Sequence, residues 1–291
     1  MEGPYSSSSA CHFGIWLVVL ALCGFPGCEQ GHTGDLKLVN YASGHFPLEA
    51  QTQIAIERGL FREQLLDVEL TINPDGKTSL EQLLAGDVEI ASVMATPVVL
   101  ESFKQKNFLI IANIDHDALH GIVTTKRQVA NSPSALEGCR VAVTPDTSGE
   151  YFLDMYLLLN RLPEESITKV HMIGPEMPDA LKSGNIDAMS SWAPNTERAI
   201  RICEKAILIM AEEFLVPPTW LIVVRKDWAE TNRAVIDGFL RGLREGIDFM
   251  KSRPDSSARI YADALGLTQD QALASLSGMN LQLSLEHAVL I

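Results

Sequence analysis

Hydrophobic and polar positions along this chain follow two periods that take turns. LKLVNY (Leu36–Tyr41) has the two-residue alternation of a strand, and LEAQTQIAIERG (48–59) has the 3.6-residue period of a helix closed by Gly59. DVELTI (Asp67–Ile72) reads as the next strand and runs into the turn NPDGK (73–77). SLEQLLAG (79–86) is then a helix capped by Ser79 and ended by Gly86, EIASVM (89–94) a strand, ATPVVLESFKQK (95–106) a helix and FLIIANI (108–114) a strand. After GIVTTK (121–126) the theme restarts. RVAVT (140–144), ITKVHMIG (167–174), IDAMSS (186–191) and AILIM (206–210) are strands, separated by the helices SGEYFLDMYLLLNR (148–161), MPDALKSG (177–184) and PNTERAIRICEK (194–205). Beyond PPTW (217–220) the pattern is mostly helical, through 233–252, 254–266 and 268–278, and the apolar run LEHAVLI (285–291) reads as a fold that continues.

This alternation predicts an α/β fold of parallel strands covered by helices on both faces. Two βα blocks with a helical tail predict two lobes: 35–118 as lobe I, 119–218 as lobe II, and 219–291 as a return to lobe I. The expected crossings lie near Leu119–Val123 and Val216–Ile222.

One layout occurs twice. LLAGDVEIASVMATP (Leu83–Pro97) and LKSGNIDAMSSWAP (Leu181–Pro194) each carry a helix-ending glycine, an apolar residue, an acid, and a strand. The strand holds a serine (Ser92, Ser190) and a large residue (Met94, Trp192), and a proline opens the next helix. Both loops lie beyond the carboxyl end of a parallel strand, where open α/β sheets bind ligands. Two lobes bearing such loops face each other across a cleft.

Composition narrows the function. The chain has 291 residues with 23 basic and 37 acidic side chains, a formal charge of −14, which argues against a nucleic-acid surface. GIWLVVLAL (Gly14–Leu22) is too short to span a bilayer, which takes about 20 apolar residues, and reads as the core of a secretory signal. CGFPGCEQ, around Cys28, resembles a bacterial lipobox, although Phe25 stands where leucine is usual and residues 1–13 hold no Lys or Arg. Residues 1–27 are therefore expected to be a lipoprotein-type signal peptide, Cys28 the lipidated first residue, and 28–34 a linker. Removing 1–27 takes away Glu2 and no base, leaving −13. Cys139 and Cys203 then remain as two buried free thiols.

The stretch VAVTPDTSGEYFLDMYLLL (Val141–Leu159) carries the clearest candidate chemistry. A helix starting at Ser148 leaves its first N–H groups unpartnered and its positive dipole end exposed, beside the hydroxyls of Thr147 and Ser148 and the open backbone of Gly149. That suits an anion or a strong acceptor; the alternative is plain N-capping by Thr147 or Ser148. Trp192 reads either as a loop aromatic that stacks on ligand or as inter-lobe packing. Gly76 and Lys77 read as a solvated turn in preference to a cleft rim at which Lys77 would attract an anion. DHDALH (Asp115–His120) suggests a metal only if His116 and His120 share a face; a hinge with polar groups facing the cleft is preferred, and no metal or cofactor is expected.

The blocks HFPLEAQTQIAIERGLFREQLLDVEL, LLAGDVEIASV, LEGCRVAVT and LKSGNIDAMSSWAP, in this order, resemble the periplasmic solute-binding proteins of the sulfonate, nitrate and thiamine-precursor (NMT1/THI5-like) group. The resemblance implies a periplasmic binding protein type II fold: two α/β lobes, two hinge strands and a ligand cleft at the hinge. It implies capture of a small organic molecule with an anionic or strongly polar end, sulfonate-like by preference, and delivery to an ABC permease in the inner membrane. The implied protein is a monomer, periplasmic or cell-surface, anchored by lipid, with no cofactor. The candidate ligand-binding set is Ser43, Gly44, His45, Met94, Thr96, Thr144, Thr147, Ser148, Gly149, Ser191 and Trp192. Three alternatives compete. One is a thiamine-pyrimidine precursor binder. Another is an enzyme like the fungal pyrimidine synthases, whose cysteine-rich iron motif has no counterpart here. The third is a receptor's sensory domain, for which the chain shows no effector part.

Overall fold

The computed structural model describes residues 35–44, 46–104, 107–115, 120–209, 219–277 and 281–284. The expected signal segment, Cys28, His45, His116 and the run 285–291 lie outside them.

The strands fall into two mixed sheets. The first contains β1 (Lys37–Gly44), β2 (Leu66–Asn73), β3 (Ile90–Met94) and β4 (Phe108–Asp115). The second contains β5 (His120–Thr124), β6 (Arg140–Val143), β7 (Thr168–His171), β8 (Ala188–Trp192) and β9 (Ile207–Ile209). The chain then returns to the first sheet with β10 (Trp220–Arg225) and β11 (Gln282–Ser284). The spatial orders are β11-β4-β10-β3-β1-β2 and β7-β6-β8-β5-β9. Among the described residues, no helix is long and apolar enough to cross a membrane.

The expectation of purely parallel sheets needs correction. β1 is parallel to β2 and β3, and β6 to β7 and β8, but β10 runs antiparallel to β3 and β4, and β5 antiparallel to β8 and β9. The reversal arises from the connections. β4 leads directly into β5, and β9 leads into β10, so each arrives from the other sheet. A strand arriving from the side where its parallel neighbours end must run against them. The tail is also less helical than its pattern suggested. WLIVVR, which overlaps the expected crossing near Val216–Ile222, is β10, a strand with five buried positions between β3 and β4. Its run of β-branched and aromatic residues is the composition of a central strand.

Helices cover both faces of each sheet. α1 (Ala50–Glu57) and α2 (Leu60–Glu63) follow β1, with Gly59 between them in the left-handed conformation at φ 71°. α3 (Gly76–Ala85) follows β2, and α4 (Ala95–Ser102) follows β3. α5 (Arg127–Asn131), α6 (Ser148–Leu159), α7 (Met177–Ser183) and α8 (Asn195–Ile202) accompany the second sheet. The tail holds α9 (Lys226–Thr231), α10 (Arg233–Ser252), α11 (Pro254–Leu265) and α12 (Gln269–Leu276). In α10, Gly238, Gly242 and Gly246 recur every four residues on the buried face. A Cβ at Gly242 would run into the Phe61 ring, so the absence of side chains lets α10 lie against α1 and α2. α3 starts earlier than expected: Asp75, not Ser79, caps it, accepting from the Thr78 N–H at 2.8 Å. Cys139 and Cys203 are both buried and free.

The repeated layout is a structural repeat. Glu89 enters β3 and accepts from the Asn40 backbone N–H of β1 at 2.7 Å; Asp187 enters β8 and accepts from the Arg140 backbone N–H of β6 at 2.9 Å. Asp187 also holds the Arg140 guanidinium at 3.1 Å and the Lys126 ammonium at 3.3 Å. Burial works against the Asp187 charge, but the Arg140 and Lys126 bonds outweigh it and bring its pKa down to about 2. A depressed carboxylate stabilises the fold above its unfolded pKa near 3.9 and loses that contribution as pH falls through the folded value. Urea unfolding between pH 4 and pH 2 should therefore show a loss of about 2 kcal/mol in the native chain that the Asp187→Asn variant lacks.

Candidate functional site

The carboxyl ends of β1 and β3 meet those of β6 and β8, and aromatic rings fill the space between them. Trp192 is the last residue of β8, only 2% exposed, and packs into the core of the first sheet. Its ring lies 5.5 Å from Phe46, which follows β1, and Phe46 meets the Trp220 ring edge-on at 4.3 Å. Trp192 is thus inter-sheet packing and not an exposed loop aromatic, because it ends a strand instead of following one. Glycines make the approach possible. A Cβ at Gly149 would stand 3.1 Å from the Trp192 ring, and one at Gly44 would run into the Phe46 ring.

What remains between the sheets is a cavity of ≈ 10 Å³, lined by Phe46, Asp75, Gly76, Lys77, Met94, Pro97, Thr147, Ser148 and Trp192. That is room for about one water molecule. Four residues of the candidate set line it: Met94, Thr147, Ser148 and Trp192. Met94 and Trp192 are the equivalent large residues of the two repeats, brought face to face.

The other described candidates lie outside that lining. The Thr144 hydroxyl donates to the Met172 carbonyl at 3.0 Å, and the Ser191 hydroxyl accepts from Asn195 at 3.2 Å. Ser43 is fully buried, with its hydroxyl oxygen 2.7 Å from that of Ser92. Thr96 is half-buried in the first turn of α4, outside the cavity lining. Gly44 and Gly149 supply clearance.

At the front of α6, neither hydroxyl caps the helix. Thr147 donates back to the Thr144 carbonyl at 2.7 Å, and Ser148 Oγ lies 2.8 Å from His120 Nε2. Without a side-chain cap, the first turn of α6 keeps its N–H donors and positive end directed at the cavity. Burial lowers the His120 pKa to about 4, so the imidazole beside Ser148 is neutral at physiological pH.

Sequence reasoning placed Lys77 in a solvated turn, yet it bridges the sheets. Its ammonium lies 2.9 Å from the Asp146 carboxylate and 3.4 Å from the Pro145 carbonyl. The Asp146 bond holds that carboxyl below its ordinary range; burial opposes the Lys77 charge but the same bond keeps it above its own. The Asp–Gly pair in NPDGK was the available signal, since an aspartate before glycine can open a helix whose first turn carries Lys77. Phe46 and His120 were visible only as an apolar residue and a hinge histidine.

A family model described as NMT1/THI5-like matches residues 49–257. The chain belongs to the NMT1/THI5-like family. It is 24% identical over 258 residues to the putative aliphatic sulfonates-binding protein of Bacillus subtilis (strain 168), covering 86% of this chain and 77% of that one. It is 22% identical over 271 residues to the formylaminopyrimidine-binding protein of Halalkalibacterium halodurans, covering 89% and 80% respectively. In structure it is similar to the alkanesulfonate-binding protein of Xanthomonas axonopodis pv. citri bound to MOPS. The TM-score is 0.74 at 16% identity, over 86% of this chain and 87% of that one. This member of the NMT1/THI5-like family therefore has the periplasmic binding protein fold, with the cavity between its two sheets.

The Lys77–Asp146 pair is 31% and 56% exposed at its two side chains, so solvent screening keeps its worth to about 1 kcal/mol or less. Its effect is expected on closure instead. Asp146→Asn should cost under ~1 kcal/mol in urea titration and raise the radius of gyration of the ligand-free chain in solution scattering. The native chain should expand likewise as pH falls through the lowered Asp146 titration, since the depressed carboxylate loses its contribution on the acid side. An unchanged radius in both would show that the pair does not hold the sheets together.

Proposed function

We propose that this chain is the solute-binding component of an ABC importer. It captures a small organic molecule with an anionic or strongly polar end, sulfonate-like by preference, and hands it to a membrane permease without chemical change. The uncapped first turn of α6, opening with Ser148 into the cavity between the sheets, carries this reading. Backbone N–H donors at a positive helix end bind an oxyanion without a dedicated basic side chain. Ser148 and Thr147 sit at that end, and Lys77 supplies a cation at the rim.

The names of the relatives support binding over catalysis and leave two ligand classes in play. The Phe46–Trp192 pair favours, as a second reading, a flat heterocycle such as an aminopyrimidine, which would take the space between the rings. With ≈ 10 Å³ available, either ligand requires the sheets to part, so capture involves opening between 35–118 with 219–291 on one side and 119–218 on the other. Delivery to a permease fits a monomer, exported by residues 1–27 and held at the membrane through lipid on Cys28.

A thermal-shift panel of alkanesulfonates, taurine, nitrate, bicarbonate and aminopyrimidines tests the reading. A ligand at a hundredfold its Kd should add about 2.7 kcal/mol of stability. Ser148→Ala should weaken that ligand about tenfold, the effect of losing one good hydrogen bond to a charged group. A panel in which no compound shifts the melting temperature would sink the assignment.

A further inference from the structure

Behind Phe46 lies a second small void of ≈ 10 Å³, lined by Phe46, Glu49, Gln53, Ile72, Tyr261 and Leu265. Phe46 belongs to the walls of both voids. Glu49 is 2% exposed. Its Oε1 accepts from Tyr41 Oη at 3.0 Å and Ser92 Oγ at 2.9 Å, while its Oε2 is buried and, among the described residues, has no hydrogen-bond partner. A buried carboxylate oxygen left unpaired costs more than a neutral polar atom, and native structures seldom leave one so without a use.

The fold does not demand this acid. The second sheet is built on the same layout, and its register aligns Val141 with Tyr41 and Val143 with Ser43. Its serine, Ser190, donates to the Gly149 carbonyl at 2.7 Å, and among the described residues no acid ringed by hydroxyls accompanies it. The Tyr41–Glu49–Ser92–Ser43 network is therefore an addition to the first sheet and no part of the repeat's framework.

The two voids also differ in electrostatic sign. In front of Phe46 stand the α6 N-terminus and Lys77, with Asp75 engaged in capping α3. Behind it, burial together with the negative fields of Glu197 and Glu49 pushes the Tyr261 phenol up. Burial likewise raises the Glu49 carboxyl, against the pull of the surrounding Ser43, Ser92, Thr52 and Tyr41 hydroxyls. Hydroxyls compensate the acid in part, and the remaining oxygen, Oε2, can take one further donor.

We propose that Glu49 is a specificity-determining ligand contact: Oε2 receives an N–H group, ammonium or amino, from a ligand whose opposite, acceptor end lies at Ser148. The ligand class is a small molecule with a nitrogen donor at one end and an anion or strong acceptor at the other. This rests on the cleft between the sheets being the ligand site.

Matched pairs test it by titration calorimetry on the full chain. Taurine against isethionate keeps the sulfonate and replaces the ammonium with a hydroxyl; 4-amino-2-methylpyrimidine against 2,4-dimethylpyrimidine removes only the amino donor. In whichever pair binds, the N–H-bearing member should bind about tenfold tighter or more, as a charge-assisted bond requires. Glu49→Gln, which keeps size and one acceptor, should bring the taurine pair to within about threefold, and Glu49→Met should do the same for the pyrimidine pair. Ser148→Ala should weaken both members of a pair alike. Equal affinities within a pair on the native chain overturn the role of Glu49 while leaving the cleft as the site, whatever the variants' folding. If neither pair binds while other panel compounds do, the nitrogen-donor class is overturned. If nothing binds at all, the reading beneath it falls too.

Discussion

The contact on which the rest depends is Trp192 seated against Phe46. One ring ends a strand of the second sheet; the other follows a strand of the first, and Trp220 backs it. The packing is apolar and favourable, but it is bought with unsatisfied polar groups. Among the described residues, the indole N–H groups of Trp192 and Trp220 and one nitrogen of His120 are buried without partners. Each such group costs about 1–3 kcal/mol, comparable to what burying a large side chain returns. The Lys77–Asp146 pair adds about 1 kcal/mol at most. A closed state held by terms that nearly cancel is one that a ligand of ordinary affinity can reopen and replace, because it need only supply the missing hydrogen bonds.

The direction of the strands serves the same end. β5 and β10 each enter a sheet from the side where the parallel strands end, so their first residues stand beside the site. A rotation at the starts of these two strands changes the gap between facing loops while disturbing little of either core. The side chains at those entries fit this role. His120 begins β5 and bonds Ser148, while Trp220 begins β10 and supports Phe46. The hinge strands and the cleft lining are thus in direct contact.

Much of this was legible in the residues. Hydrophobic period and helix-ending glycines located most strands and helices, and the two repeated blocks predicted that Met94 and Trp192 would face one site. The pattern did not reveal β10, since WLIVVR sits between a proline pair and a helical tail, and a short apolar run is ambiguous without its neighbours. It missed Lys77–Asp146 because a pair 69 residues apart leaves no periodic trace. It placed Thr144 and Ser191 in the candidate set, and their hydroxyls bond the chain itself. Glu49 escaped notice because an acid near a helix start reads as a dipole partner; only its burial among four hydroxyl-bearing neighbours distinguishes it.

The asymmetry between the two sheets then becomes the informative feature. A repeat duplicates a framework, and what the copies share is structural: Glu89 and Asp187 on the neighbouring strand, Gly86 and Gly184 ending helices in the left-handed region. What the copies do not share is free to specialise. The first sheet places a hydroxyl-ringed acid behind Phe46, and the second places an uncapped helix end in front of it. Two like halves would hold a symmetric guest in either direction. Halves of opposite electrostatic character fix the direction, and direction is what a carrier needs if its guest is to leave the same way each time.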